Sequence, residues 1–241
     1  LHLSLRRQRQ MCIRDSVYTN QPVITMIAQR LPVSMQLGVQ ALILGTILGA
    51  FMGKASARRK NGILDGIFGF VSVLGISVPS FVIGTLILLY LGFNLNLFPI
   101  SGWGTFSQTI MPTIALSFAP MAVVTRFVRS EMIESLSSDY ILLARAKGLS
   151  EKEVVNKHAL RNSLIPMLTL IGPMAANLLT GSVLIEKIFS IPGIGSQFVD
   201  SIPAKDFPVI MATTIVYAVI LMLFILVTDI LTAIVDPRVR L

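Results

Sequence analysis

Apolar residues run along this chain in blocks longer than a soluble core requires, and the polar residues gather in the stretches between them. Val33 to Gly53 is the first block. At about 1.5 Å per residue it is long enough to cross a hydrocarbon core of roughly 30 Å. A mixed, mildly amphipathic stretch from Val17 to Arg30 precedes this span A, and Pro32 suits the first turn of its helix. Gly45, Gly49 and Gly53 recur every fourth residue, a stripe of small residues that lets a second helix approach closely. Span B, Ile63 to Phe93, exceeds one crossing and is interrupted by Pro79, so a tilted or kinked helix is expected. Span C runs from Thr109 to about Val128 with Pro112 and Pro120 inside it. Span D runs from Ile165 to about Ile185 and carries Gly172-Pro173, Asn177 and Gly181-Ser182, which free backbone groups that only protein or a watery cavity can satisfy. Span E, Val209 to Val235, is interrupted by Asp229. The pattern predicts an all-α integral membrane protein with five visible transmembrane helices.

The connections carry the orientation. Lys54, Arg58, Arg59 and Lys60 precede an Asn61-Gly62 turn, and this positive loop reads as cytoplasmic. Arg126 and Arg129 close span C on the same side, three residues apart and so on one helix face. Asn94 to Gln108 contains no Lys or Arg and belongs outside, with Phe98, Trp103 and Phe106 placed for the interface. Glu186 to Pro208 is a second outside loop, with a Pro192-Gly193 turn and only Lys187 and Lys205 as cations. Asp236-Pro237-Arg238 then ends the chain inside. Leu1 to Ser16 has no apolar period and reads as a non-native segment, leaving 17–241 as the membrane domain. Five crossings that start outside and end inside fit a missing N-terminal first span.

Composition agrees with the pattern. Of 241 residues 54% are apolar and 13% charged, the balance of a chain built for lipid. The formal charge of +8 raises nucleic acid as a partner, but the basic residues lie between apolar blocks rather than along one face, so none is expected. A single cysteine, Cys12, excludes an internal disulfide and a cysteine-based metal cluster. No H-x-x-x-H, paired-cysteine or G-x-S-x-G motif occurs. Gly49 to Lys54 resembles a phosphate loop but is one residue short between glycines and lacks Ser or Thr after Lys54. The chain is therefore expected to hold no catalytic, metal or cofactor site. Asp229 is the one ionisable residue well inside an apolar block, and a structural ion pair with Arg126 or Arg129 is preferred for it over proton coupling.

One sizeable polar insertion remains, DYILLARAKGLSEKEVVNKHALRNSLIP from Asp139 to Pro166. Asp139 reads as the N-cap of a helix from Tyr140 to Lys147, and Gly148 stands where a left-handed residue ends it. Ser150 and Glu153 have the spacing of a capping box that starts a second helix. The first helix carries Arg145 and Lys147; the second carries Lys152, Lys157, His158 and Arg161. A rigid, capped, basic helix-turn-helix between membrane spans is expected to be a docking surface, with His158 solvated rather than catalytic.

ARAKGLS followed by KHALRN, with EKIFSIPGIG and DPRVRL downstream, resembles the permease subunits of ATP-binding-cassette importers in the dipeptide and oligopeptide branch, over roughly Gln21 to Leu241. The family's cytoplasmic motif reads Glu-Ala-Ala, three residues, Gly, nine residues, Ile, one residue, Leu-Pro. Leu142, Leu143 and Ala144 take its first places, Gly148 its glycine, and His158, Ala159, Leu160 and Arg161 its last; only Ala144, Gly148 and Leu160 match literally, a variant form known in the peptide branch. The resemblance implies six helices in the full-length fold, with 17–241 a permease domain in a bacterial-type cytoplasmic membrane. It implies a second homologous permease, two ATPase subunits that bind and hydrolyse the ATP, and an extracytoplasmic solute-binding protein at the outside loops, including Ile191 to Gly195. Coupling would fall to Asp139, Tyr140, Ala144, Arg145, Ala146, Lys147, Gly148, Leu149, Ser150, His158, Leu160 and Arg161. The pathway would lie between two permeases, lined by spans B, C and D, with Asn177 as the residue that faces it. Similar permeases serve peptides, nickel and glutathione. Two other classes compete: an ion-coupled secondary transporter, for which Asp229 is the one candidate, and a membrane assembly subunit without transport.

Overall fold

The computed structural model describes residues 15–235. The reading of 1–14 as non-native and of Asp236-Pro237-Arg238 as a cytoplasmic end lies outside the described residues. Ser16, the last residue set aside from the fold, is buried, donates its hydroxyl to Asp206 and accepts the Thr19 N–H at 3.0 Å.

Helix α1, Val23–Arg58, is one continuous 36-residue element capped by Pro22. It therefore merges span A with the amphipathic stretch before it, and Pro32 sits inside the helix rather than in its first turn. Proline at that position removes the hydrogen bond to the Ala28 carbonyl. Ala28 and Pro32 both lie on the exposed side, so the loss is not sealed inside a core. Helices α2, Ile63–Ser77, and α3, Ser80–Ile87 with a π-helical continuation Leu88–Asn94, form span B. They meet at a bend of 106° around Val78-Pro79, the expected kink, since proline cannot continue the ladder.

Helix α4, Phe106–Leu136, is the centre of the molecule. Thr105 and Gln108 close a capping box at its start, and the helix continues two turns beyond Val128, the expected end of span C. It runs parallel to α1, and the glycine stripe explains how close the two come. A Cβ at Gly45, Gly49 or Gly53 would stand 2.7 Å from the carbonyl oxygens of Ser117, Met121 and Thr125 in turn. Backbone meets backbone at each successive turn, which no larger residue allows.

After α4 come α5, Asp139–Ala146, and α6 over residues 151–164, with Glu151–Glu153 and Leu160–Leu164 α-helical around a π-helical Val154–Ala159. Helices α7, Leu168–Gly181, and α8, Val183–Ile188, form span D. A short α9, Ile194–Ser201, lies within the second expected outside loop, and α10, Phe207–Val235, is span E. Among the described residues four helices are long and apolar enough to cross a membrane, five when the bent α2–α3 pair counts as one, and no strand forms.

The core is divided between the two ends of the helices. At the Lys- and Arg-rich end Ala57, Val124, Val128 and Met132 pack with Ile141, Ala144, Val154, Val155, Ala159 and Met167. At the opposite end Leu37, Ala41, Met111, Ala115 and Leu116 pack with Leu178, Ile185, Phe189 and Ile191, with Phe98 and Trp103 half-buried against them. Phe106 is exposed, as an interfacial aromatic should be. Most of α10 is bare, with Met211, Ile215, Met222, Leu226, Ile230 and Ile234 all exposed, a face suited to lipid or a further membrane helix.

Candidate coupling elbow and transport cleft

The turn between α5 and α6 is built by its caps. Ser138, not Asp139, is the N-cap of α5; its backbone is extended, and its carbonyl accepts the Ile141 and Leu142 amides. Asp139 is the first helical residue, where its carboxylate still faces the positive end of the helix dipole. At the other end the Gly148 N–H donates to the Arg145 carbonyl at 2.9 Å and the Leu149 N–H to the Ala144 carbonyl at 3.3 Å. Together these form a Schellman motif, closed by Gly148 at a φ of +82°. Ser150 then caps α6, accepting the Glu153 N–H at 3.3 Å and donating to its carboxylate at 3.1 Å.

Arg145 bridges the turn to Glu151, Nε to Oε1 at 2.6 Å and Nη2 to Oε2 at 3.3 Å. Its guanidinium holds the Glu151 carboxyl below the usual carboxylate range. Lys157, and after it the Ser150 hydroxyl, does the same for Glu153. The Tyr140 hydroxyl pairs with that of Ser135, tying α5 to the last turn of α4.

Burial sorts the expected docking residues into two groups. Asp139, Tyr140, Arg145, Ala146, Lys147, Gly148, Ser150 and Arg161 are exposed, while Leu149, His158 and Leu160 are half-buried. Ala144 is turned inward, 6% exposed, with its methyl packed in the cluster under the elbow. Leu142 and Leu143, 57% and 56% exposed, supply the apolar surface of α5. They take the first places of the family motif yet stand outside the docking residues expected from it. The signal was present in the sequence, since Ile141 and Ala144 are three residues apart and only one of the two faces of so short a helix can be buried.

A cleft of about 170 Å³ opens beside α4, lined by Ser80 of α3, by Leu116, Ala119, Pro120 and Val123 of α4, and by Met174, Asn177 and Leu178 of α7. Spans B, C and D thus meet at one cavity, and Asn177 is on its wall. Arg126 is exposed on the α4 face that carries Ala119 and Val123. The ion pair expected for Asp229 is not the one formed. Arg129 binds Asp65 in two bonds of 2.6 and 2.7 Å, whereas Asp229 lies on the exposed side of α10. Sequence reading missed Asp65 because it follows the Asn61-Gly62 turn closely and passes for an ordinary first-turn carboxylate.

At the end poor in Lys and Arg, Ile191 and Ile194 are 1% and 0% exposed, and Gly193 and Gly195 are buried. The stretch from Ile191 to Gly195 thus packs inward, and Pro192 alone of it is exposed. The surface there consists instead of Lys187 paired with Asp200, together with Ile202, Pro203 and Ala204.

Membrane-length helices around a cleft, a span broken beside it and a rigid elbow at the basic end together make up the build of a membrane permease. A model of the family described as binding-protein-dependent transport system inner membrane component matches residues 45–241. The chain is 96% identical over 225 residues to the dipeptide transport system permease protein DppB of Lactococcus lactis subsp. cremoris (strain MG1363), covering 93% of this chain and 74% of that protein. It is 45% identical over 216 residues to the protein of the same description in Bacillus subtilis (strain 168), covering 90% and 70%. The fold is similar to that of the solved MetNI methionine ABC transporter in inward-facing conformations, with a TM-score of 0.71 at 13% identity over 88% of this chain and 96% of that one; at that identity the likeness speaks for the fold alone. The chain belongs to the binding-protein-dependent transport system inner membrane component family, the permease subunits of ATP-binding-cassette importers. Membership implies a multi-pass place in the inner membrane and a complex with an ATPase and a binding protein.

Proposed function

We propose that this chain is the membrane-spanning subunit of an importer for di- and oligopeptides, and that its elbow converts ATP hydrolysis in partner subunits into alternating access at the cleft. The observation that carries the substrate class is the 96% identity to a dipeptide permease over nearly the whole chain. The elbow supports the coupling role. A Schellman turn, a serine cap and a bidentate Arg145–Glu151 bridge fix α5 against α6, the Tyr140–Ser135 pair ties α5 to the end of α4, and a lever must be stiff to transmit displacement.

In this reading Leu142, Leu143, Arg145, Ala146 and Lys147 meet an ATPase subunit. Two such subunits bind the ATP, and this chain carries no cofactor. A second, homologous permease completes the pathway against the cleft wall that includes Asn177. The basic end and the C-terminus face the cytoplasm, and the solute-binding protein docks at the opposite end, near Pro203 and Ala204.

The test is reconstitution of the full-length chain in liposomes with its neighbouring permease, ATPase subunits and binding protein. ATP-dependent uptake of a labelled dipeptide is expected. Leu143→Asp should leave the protein inserted but no longer recovered with the ATPase. Uptake that needs no ATP, or full transport by Leu143→Asp, would overturn the reading.

A further inference from the structure

Asp65 ties several elements of the basic end together. Its Oδ1 accepts Arg129 Nε and the Ser56 hydroxyl, and its Oδ2 accepts Arg129 Nη2 and, at 2.9 Å, the Asn61 N–H. One carboxylate thus connects the last turns of α1, the following turn, the start of α2 and the inner part of α4. The Asp65 side chain is 7% exposed and that of Arg129 33%.

The two helices it links differ in how firmly they are held. One turn beyond Arg129, Met132 is buried in the cluster that also contains Ile141 and Ala144 of the elbow helix, so a displacement of the elbow carries Arg129 with it. Helix α2 is thinly packed at this end. Ile63, Ile67 and Phe70 are 85%, 50% and 64% exposed, and a Cβ at Gly66 or Gly69 would meet nothing within 4 Å. Ser72 is buried further along, and at Gly75 α2 meets α4 closely, where a Cβ would lie 2.9 Å from the Phe118 carbonyl and from Ala122. Beyond that, α2 passes through the 106° bend to Ser80 on the wall of the cleft.

We infer that Asp65 is a positioning residue for transport: its ion pair with Arg129 makes the bent α2–α3 span follow the elbow, so that movement imposed at the elbow reaches the cleft. This rests on the elbow being the ATPase dock. A planar guanidinium held in two parallel bonds resists both sliding and rotation, which scattered apolar contacts do not.

The experiment uses the complete reconstituted complex and compares wild type, Asp65→Asn, and the exchanged pair Asp65→Arg with Arg129→Asp. It reads peptide taken up per ATP hydrolysed, with the ATPase recovered on the chain as the measure of assembly. Asp65→Asn is expected to retain its ATPase and hydrolysis while uptake per ATP falls about tenfold, within the range that residues lying between two coupled sites produce, and the exchanged pair recovers part of it. A wild-type ratio in Asp65→Asn overturns the tie. Should that variant not assemble, spin labels at the exposed Phe70 and Ser130 of the otherwise wild-type complex decide. Their separation is expected to stay constant between the nucleotide-free and ATP-trapped states, and a change of several ångströms overturns the tie. Loss of the ATPase from the wild-type chain would instead count against the docking reading.

Discussion

The Ser34 hydroxyl donates to the Glu186 carboxyl at 2.7 Å and accepts the Ile194 N–H at 2.9 Å, so one short side chain on α1 holds both α8 and the start of α9. Glu186 is 0% exposed. It also accepts the Ser182 hydroxyl at 2.9 Å and the Ser196 N–H at 2.8 Å, and among the described residues no cation pairs with it. Gly193 lies against its carboxyl oxygens where a Cβ would overlap them. The stretch EKIFSIPGIG is thus a folded unit in which the glutamate is the acceptor, the glycine the space around it, and Ile191 and Ile194 the apolar seal.

Removing that acceptor should be costly. Glu186→Ala takes away the acceptor of the Ser34 hydroxyl and of the Ser196 N–H, and at about 1–3 kcal/mol for each unsatisfied group the expected loss is roughly 2 kcal/mol or more. Ser34→Ala should lose about 1–3 kcal/mol by the same reasoning. Thermal unfolding of the purified complex in detergent measures both, with Glu186→Ala the lower. An unchanged midpoint in Glu186→Ala would show that the outer end is held by other contacts.

Two glycines in helices should respond in opposite directions to the same substitution. A Cβ at Gly49 would stand 2.7 Å from the Met121 carbonyl oxygen and from the Val124 Cβ, both rigid, so Gly49→Ala forces α1 and α4 apart at an expected cost of about 1–3 kcal/mol. Gly66 has nothing within 4 Å, and Gly66→Ala gains helix propensity of up to about 1 kcal/mol. Unfolding midpoints of the two variants should fall on either side of wild type.

What the sequence disclosed and what it withheld divide along physical lines. The spans, the kink at Pro79, the glycine stripe and the Gly148 turn were legible because each is a local event: an apolar run, a missing amide, a missing Cβ, a positive φ. The partners of buried polar groups were not. Asp65 and Arg129 are 64 residues apart, and Ser34 and Glu186 are 152 apart. Nothing in periodicity says which carboxylate a given arginine will meet, and the position of Asp229 within its apolar block pointed to it in the place Asp65 occupies. Asn177 was legible as polar within an apolar span; that it shares a cavity with Ser80 and Leu116 depended on how three helices cross. Short elements were also missed, α9 because its amphipathic period covers only eight residues of a longer loop.

Gly148 separates backbone conformation from packing. Its φ of +82° is one that side chains rarely adopt, yet a Cβ there would touch nothing within 4 Å. Gly148→Ala should therefore cost about 1–2 kcal/mol of purely local strain and loosen the elbow, while Gly148→Asn, which tolerates the left-handed region, should cost less. Recovery of the ATPase with the detergent-solubilised chain is expected to fall in the order glycine, asparagine, alanine. Equal recovery for all three would mean that the turn need not be rigid to dock.

The Arg145–Glu151 bridge makes the elbow sensitive to acid, and the sign follows from the carboxylate. Arg145 holds the Glu151 carboxyl below its ordinary value of 4.5 in the folded protein. A depressed carboxylate contributes stability at all pH above its ordinary value and loses it as pH falls through the depressed one. The bridge should be complete at neutral pH and dissolve only in the acid range below 4.5. Glu153, lowered by Lys157, should follow the same course and uncap α6 as it does so. A spin label at the exposed Lys152 reads this directly. Its mobility should be low and constant from pH 8 to about 5 and rise on further acidification. In Glu151→Gln, which has no charge to lose at that position, it should be higher at neutral pH and rise less. Because both side chains are exposed, raised salt at pH 7 should also increase the wild-type label's mobility, while Glu151→Gln is indifferent to it. A wild-type label as mobile as that of Glu151→Gln at neutral pH and low salt would show that the Schellman turn and the Ser150 cap hold the elbow without the bridge.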